Sequence, residues 1–145
     1  MKLSTRSRYG VRLMYELAIH YGKDPVIIKD IARRQQISEK YLSKIVIPLK
    51  GARLVISSRG SNGGYILARE PSKITLREII EILEGDITPV ECVKNTKLCS
   101  RSTDCPTREI WCSLDRSIAG FLDSITLEDL AGKAGEGFGN NNYCI

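Results

Sequence analysis

Residues 37–68 read ISEKYLSKIVIPLKGARLVISSRGSNGGYILA, and this stretch decides the fold. Ser38 is a residue type that begins helices well, and the apolar residues after it recur every three or four positions. Two short apolar runs follow, 54–57 and 65–68, separated by a polar tip rich in glycine. This order predicts a helix and then a β-hairpin. Pro48 conflicts with the helical pattern, so we expect the helix to kink or stop near Ile47.

Two further helices are predicted upstream of this stretch. The spacing of apolar residues predicts a first helix over 5–21, ended by Gly22 and Pro25. A short second helix is expected over 29–34, and a tight turn at 35–37 joins it to the helix that begins after Ser38. Helix, turn, helix and hairpin in this order predict a winged helix-turn-helix that reads DNA.

The charge of the chain is distributed unevenly. Residues 1–70 contain 14 Lys and Arg and 5 Asp and Glu, whereas the remaining 75 residues contain 8 and 12. A basic half joined to a mildly acidic half is typical of a nucleic-acid reader with a separate sensing or assembly region, because phosphates attract only the surface that touches them. A solvated basic face is the structural alternative.

Within the predicted DNA reader, polar residues of the third helix and the wing are the candidate contacts. We expect the N-terminal part of that helix to face base edges, and Arg59 with Gly60 to enter the minor groove. Packing in the core is the alternative for Tyr41, and a solvated turn is the alternative for Arg59. The predicted DNA-binding residues are Ser38, Lys40, Tyr41, Ser43, Lys44, Arg59 and Gly60.

Beyond Pro71 the chain predicts a mostly α-helical remainder, so the fold class is mostly α with a small β wing and a long C-terminal dimerisation helix. Thr75 is expected to cap a helix that Gly85 closes. The expected organisation is a DNA-binding domain at 1–70, a connecting helix at 71–85, a cysteine-rich loop at 86–106, a dimerisation helix with a short helix at 107–130, and a flexible tail at 131–145.

The long helix is predicted from an apolar stripe with spacings of three and four residues. Such a stripe is typical of a coiled-coil seam, and fewer than three heptads need a partner helix. The simplest partner is the same helix of a second chain, which makes a homodimer. Packing of the stripe on its own domain is the alternative. The stripe consists of Trp111, Leu114, Ile118, Phe121 and Ile125.

Four of the five cysteines lie within 21 residues, at Cys92, Cys99, Cys105 and Cys112, and the fifth is Cys144. No apolar run is long enough to cross a membrane, so we expect a cytoplasmic protein. There, clustered cysteines more often bind a metal or react with oxidants than form disulfides. The spacing favours an iron–sulfur cluster, and structural zinc or a thiol-only redox sensor are the alternatives.

Several motifs together resemble the iron-sulfur cluster regulator (IscR) family. They are Met1 to Ser4, Arg8-Tyr9, Ile37-Ser38 with Tyr41-Leu42, Arg59-Gly60 with 63–65, and 120–122 with 125–127. The likeness runs from Met1 to about Leu130 and includes the wing, the cysteine loop and the long helix in the same order. It implies a homodimeric bacterial transcription regulator that binds a double-stranded DNA operator.

The resemblance also implies a cluster on Cys92, Cys99 and Cys105, favouring the 2Fe–2S type over 4Fe–4S. The family's fourth ligand is a histidine at the position of Arg108, which cannot bind a metal because it stays protonated. Nitric-oxide-sensing relatives use an aspartate at the position of Arg8, which is also missing. Cys112 is a possible fourth ligand, with a small buried hydrophobe as the alternative.

The expected function is therefore a DNA-binding regulator, not an enzyme, that responds to iron–sulfur cluster status and controls cluster assembly genes. Oxygen or nitric oxide are possible signals. An iron–sulfur electron-transfer protein and a zinc-stapled regulator without a redox role are the alternatives. Salt-sensitive binding to a defined duplex distinguishes the regulator from the electron carrier.

Overall fold

The computed structural model describes residues 2–133 and confirms a mostly helical fold with one two-stranded antiparallel sheet. The 3₁₀ turns among these residues lie at 71–73, 91–93 and 96–98. The longer elements, in chain order, are α1 (Thr5–Ile19), α2 (Ile28–Gln35), α3 (Glu39–Gly51), β1 (Val55–Ser58), β2 (Gly64–Leu67), α4 (Leu76–Glu84), α5 (Arg108–Asp123) and α6 (Leu127–Lys133).

One hydrophobic core joins the first three helices, the wing and α4. The helical spacing of the sequence places Leu13, Ile31 and Leu42 fully inside it. Ile79 of α4 and Leu127 of α6 are buried in the same core, so the chain after the wing returns to it. Each such side chain contributes roughly 1.5–3 kcal/mol of burial free energy relative to an exposed position.

Pro48 does not end α3, so of the two predicted outcomes, a kink or a stop near Ile47, the stop is not observed. The helix continues to Gly51 with Pro48 inside it. Pro48 lies in the last turn, where its missing N–H removes one bond, to the carbonyl of exposed Lys44. The next residue, Leu49, is fully buried, and its packing holds this turn against the core.

The wing is attached near its turn, through Tyr65 of β2, to the connection between α1 and α2. In the hairpin Val55 pairs with Leu67 and Ser58 with Gly64. Val26 extends the pairing, because its N–H donates to the Tyr65 carbonyl at 2.9 Å and its carbonyl accepts from the Tyr65 N–H at 2.8 Å. A side chain at Gly64 would place its Cβ 2.6 Å from the Val26 carbonyl oxygen, so this close approach requires glycine.

The chain leaves the core after α4 and returns just after α5. Main-chain bonds join the two points: Leu76 N–H donates to the Ile125 carbonyl at 2.9 Å, and Leu127 N–H donates to the Ile74 carbonyl at 3.0 Å. The long helix predicted over 107–125 is confirmed as α5. The predicted tail begins too early, because residues 131–133 belong to α6. The rest of that tail, with Cys144, lies outside the described residues.

Candidate DNA interface and cysteine loop

The N-terminal part of α3 presents a polar surface. Ser38, Lys40, Ser43 and Lys44 are all exposed. Ser38 stands at the N-cap position as predicted, but its side chain makes no capping hydrogen bond, so its hydroxyl is not used within the helix. The Ser43 hydroxyl donates to the Glu39 carbonyl at 2.9 Å and keeps its acceptor lone pairs. This surface therefore offers two hydroxyls and two ammonium groups to a ligand.

Tyr41, for which a DNA contact and core packing were the two predicted roles, is half-buried. Its ring meets the Tyr9 ring edge-on, with centroids 5.9 Å apart and an interplanar angle of 87°. The Arg12 guanidinium lies 5.5 Å from the centroid of the Tyr9 ring. Tyr41 therefore packs α3 against α1, and Arg12 adds a cation above that contact.

The wing tip carries Arg59 and Gly60, both exposed. Gly60 has φ +117°, a conformation that side chains rarely adopt, and its carbonyl accepts from Gly63 N–H at 3.0 Å. Among residues 2–133 no carboxylate pairs with Arg59. Lys50 of α3 lies 5.9 Å from the centroid of the Tyr65 ring, which links the recognition helix to the wing.

The buried carboxylate of Glu16 joins α1 to the end of α2, and sequence analysis did not predict this contact. Glu16 is 3% exposed on the apolar face of α1. Its Oε2 accepts from Arg34 Nε at 2.9 Å, and its Oε1 accepts from Gln35 Nε2 at 2.6 Å. Arg12 completes the network by donating to the side-chain and main-chain oxygens of Gln35. A charged residue inside an apolar stripe was the available signal, because such a group requires partners.

The cysteine loop is closed by polar contacts. Lys94 Nζ lies 2.6 Å from Asp86 Oδ1, an ion pair across the beginning of the loop. The Arg108 guanidinium donates to the Cys92 and Val93 carbonyls at 3.3 and 3.4 Å. The Arg108 N–H donates to the Cys105 carbonyl at 3.2 Å, so Arg108 contacts both ends of the cysteine segment.

The thiols of this region differ in exposure, and the Thr107 hydroxyl lies beside one of them. Cys92, Cys105 and Cys112 are half-buried, Cys99 is exposed, and all four are free. The Thr107 hydroxyl lies 3.3 Å from Cys105 Sγ, and with the Thr107 main chain it lowers the pKa of the Cys105 thiol. A lowered pKa increases the fraction of Cys105 that is present as thiolate, which is the nucleophilic form.

The thiols of the cysteine loop are not gathered around one point in this structure. Within residues 2–133, no three His, Cys, Asp or Glu side chains are close enough together to hold a metal ion. The donor type suits iron–sulfur chemistry, since thiolates are its usual ligands. At the end of the loop, however, the guanidinium of Arg108 occupies the space beside the Cys92 main chain. A cluster would require the loop to rearrange.

The start of α1 is tied to the end of α4, directly before the cysteine loop. Glu84 Oε1 accepts from Ser4 N–H at 2.6 Å and from the Ser7 hydroxyl at 2.5 Å, and these bonds lower the pKa of Glu84. A Cβ at Gly10 would lie 2.1 Å from Leu83 Cδ1, so α1 and α4 pack closely here. His20, at the other end of α1, is partly exposed, with Nδ1 2.8 Å from the Glu16 carbonyl oxygen.

Residues 2–133 contain no helix long and apolar enough to span a membrane.

Residues 3–133 match the Rrf2 family, described as iron-dependent transcriptional regulators. The HTH-type transcriptional regulator CymR of Bacillus subtilis (strain 168) is 44% identical over 131 residues, covering 90% of each chain. Protein rrf2 of Nitratidesulfovibrio vulgaris is 42% identical over 130 residues, covering 90% of this chain and 87% of its own.

Other relatives carry the regulator name that the sequence motifs suggested. IscR of Photorhabdus laumondii is 36% identical over 130 residues, covering 90% of this chain and 79% of its own. Among solved structures, CymR, the global cysteine regulator of B. subtilis, superposes with a TM-score of 0.78 at 43% identity, covering 91% of this chain and 97% of its own. T. potens IscR also gives 0.78, at 40% identity, covering 99% and 95%.

Proposed function

The chain belongs to the Rrf2 family of transcriptional regulators, and from this premise we propose that it binds operator DNA as a homodimer through the exposed polar face of α3 and the tip of the wing. The observation that carries the proposal is that α3 and the wing both lie in the basic half of the chain and expose basic side chains. Residues 1–70 hold 14 basic and 5 acidic residues. Lys40, Lys44 and Arg59 are exposed on the elements that enter DNA grooves in winged helices.

Within this proposal the site residues divide by chemistry. Lys40 and Lys44 neutralise phosphates, whereas Ser38, Ser43 and the edge of Tyr41 hydrogen-bond to bases or phosphates. Arg59 enters the minor groove, and Gly60 allows the main chain to approach the DNA backbone. The Glu16 network acts through Arg34 and Gln35, because it fixes the turn from which α3 begins.

The second chain is proposed to cover α5. No residue of α5 is buried, although its stripe is apolar. Along that stripe Trp111, Leu114 and Phe121 are 37%, 42% and 64% exposed. Beside this stripe lies an almost wholly apolar groove of about 320 Å³. It is lined by Leu3, Ile87, Ser117, Ile118, Phe121 and Leu122. An apolar stripe of this length that no element of residues 2–133 covers favours a second copy of the same helix.

The DNA proposal is tested by the salt dependence of binding to a duplex that the protein selects from a random-sequence pool. We expect log K to fall steeply with log salt, and Lys44→Gln to reduce the slope by about 0.9. Lys133→Gln, which removes an exposed charge at the end of α6, is the matched control and should leave the slope unchanged. Equal slopes for both variants, or no selected duplex, would contradict the proposal.

We also propose that the cysteine loop is the part of the molecule that responds to a signal. The family description as iron-dependent and the three thiols of one exposed loop support an iron–sulfur cluster on Cys92, Cys99 and Cys105, with Cys112 as a further thiol nearby in sequence. Control of cluster assembly genes belongs to the same proposal. The solved relative titled a global cysteine regulator supports a response without a cluster as the second candidate.

Iron and sulfide measured anaerobically on freshly purified protein distinguish the two responses. Cluster binding predicts both elements in the wild type and their loss in Cys92→Ser, with Cys112→Ser testing the fourth ligand. Absence of iron and sulfide after anaerobic reconstitution of the full chain would overturn the cluster and leave the thiol response. The DNA proposal is unaffected by either result.

A further inference from the structure

Gln36 has a backbone conformation that glycine normally adopts. Its φ and ψ are +52° and +47°, in the left-handed region that disfavours a residue with a Cβ. Two main-chain bonds fix this geometry: Gln36 N–H donates to the Arg33 carbonyl at 3.4 Å and Ile37 N–H donates to the Ala32 carbonyl at 3.0 Å. This is the Schellman motif, which ends helices most often at a glycine.

The same motif recurs at the end of α3, with Arg53 in the strained position. Arg53 has φ +59°, its N–H donates to the Lys50 carbonyl at 3.0 Å, and Leu54 N–H donates to the Leu49 carbonyl at 3.0 Å. Gln36 and Arg53 are the two non-glycine residues with positive φ among those described. Both side chains are exposed, and no hydrogen bond or ion pair of either is present within residues 2–133.

The two positions lie at opposite ends of the recognition helix. Gln36 is two residues before Ser38, at the end that is proposed to read DNA, whereas Arg53 follows the other end. Since α3 has 13 residues, the two ends are about 20 Å apart at 1.5 Å per residue. Of the two strained residues, Gln36 is therefore the one beside the proposed DNA surface.

The residue before Gln36 is held firmly. Gln35 is bonded by Glu16 and by Arg12, so the chain enters the left-handed turn from a fixed point. A strained residue persists where its surroundings determine it, and such residues concentrate at functional sites. The side chain of Gln36 takes no part in holding this conformation within residues 2–133, so it is available to a ligand beside the N-terminus of α3.

We propose that Gln36 contacts the operator DNA directly, with its carboxamide hydrogen-bonded to a phosphate or a base edge beside the N-terminus of α3. The proposal rests on the DNA-binding function proposed above. A carboxamide both donates and accepts, so it can bond to a phosphate oxygen, and it matches the major-groove edge of adenine. Because the carboxamide is uncharged, removing it should leave the salt dependence of DNA binding unchanged.

The test is Gln36→Gly, with Arg53→Gly as the matched control. Each substitution places glycine in the same motif and relieves the same strain, so we expect equal or slightly higher Tm for both, by up to about 4 °C. We expect Gln36→Gly to weaken binding to the selected duplex about 2- to 10-fold, the range of one hydrogen bond. Arg53→Gly, measured at about 0.2 M salt to screen its distant charge, should change binding less than twofold.

A second duplex of unrelated sequence identifies the contact. Equal losses on both duplexes indicate a phosphate contact, and a larger loss on the selected duplex indicates a base edge. Both results support the proposal. Wild-type affinity of Gln36→Gly on both duplexes, or an equal loss in Arg53→Gly, would overturn it. Failure of the wild type to bind any duplex is a different result, which would overturn the proposed function itself.

Discussion

Helices α1 and α5 have 15 and 16 residues, and each carries an apolar stripe, yet their surroundings differ completely. Seven residues of α1 are buried, and α2, α3, α4 and the wing pack around it. None of α5 is buried. The same periodicity therefore has two outcomes. In α1 other elements of the chain cover the apolar stripe, whereas in α5 no element of residues 2–133 covers it, and the proposed second chain would do so.

The stability of the chain and its assembly are therefore expected to depend on different helices. Substitutions in the α1–α3 core should change the free energy of unfolding of one chain. Substitutions on the α5 stripe should change association and, through it, DNA binding. The experiments below separate the two regions, beginning with the largest expected effect.

Leu42→Ala should destabilise the fold by about 2–5 kcal/mol, because Leu42 is fully buried in α3 and its truncation leaves a cavity. Chemical denaturation followed by circular dichroism measures this loss. Ile47→Ala, on the exposed face of the same helix, should cost no more than about 0.5 kcal/mol. Similar losses for both variants would mean that α3 is not packed as described.

Phe121→Asp should weaken the homodimer roughly 30-fold, the effect of about 2 kcal/mol at an interface centre, and leave the folded chain intact. Phe121 is 64% exposed in the single chain, so a charge there has no folding cost of its own. Sedimentation equilibrium gives the dimer constant, and DNA affinity should fall with it. Ser113→Asp adds the same charge outside the stripe, and equal dimerisation of the two variants would contradict the proposed interface.

Arg108→Ala should loosen the cysteine loop, because the guanidinium bonds to the Cys92 and Val93 carbonyls are lost. We expect alkylation of Cys92 to become about 2- to 5-fold faster, consistent with long hydrogen bonds of modest strength. Mass spectrometry after iodoacetamide treatment measures the rate, with Arg116→Ala as control. Unchanged labelling of Cys92 would show that Arg108 does not hold the loop in solution.

Glu84→Gln should reduce the acid sensitivity of the fold. Hydrogen bonds from Ser7 and Ser4 lower the pKa of Glu84 in the folded chain, so its contribution to stability is present above the unfolded pKa and is lost as pH falls through the folded pKa. The wild type should lose stability below about pH 5, and the variant should lose less. Thermal unfolding at several pH values measures this, with Glu109→Gln expected to follow the wild type.

Local signals predicted much of the fold. The Thr75 cap is confirmed, since its side chain accepts from Glu78 N–H, and Gly85 ends α4 at φ +84°. The helix-turn-helix, the wing and the long helix are confirmed, and IscR relatives bear out the resemblance that the motifs suggested. Periodicity and capping residues act over a few positions, so a single sequence contains them.

The remaining features depend on residues far apart in sequence. The Val26 bridge to Tyr65 and the bonds of Glu84 to Ser4 and Ser7 have no local pattern. The predicted stop at Pro48 does not occur, because burial of Leu49 outweighs one lost hydrogen bond in a last turn. The left-handed conformation of Gln36 was missed because such a helix end is usually marked by glycine, and the sequence has glutamine there. For the candidate site, the residues were predicted from the sequence, and the structure adds that α3 and the wing pack on one core with Lys40, Lys44 and Arg59 exposed.

The bonds of residues 74–76 to 125–127 have a consequence for how such regulators diversify. They fasten both ends of the excursion through the cysteine loop at one place on the core, so the segment between Gly85 and Thr107 can lengthen or shorten without displacing α3. Doubling the length of a surface loop costs only about 0.6 kcal/mol in closure entropy. The segment can therefore be exchanged as a unit. A loop grafted from a relative at these points would test a response to a different signal while the DNA-binding surface stays unchanged.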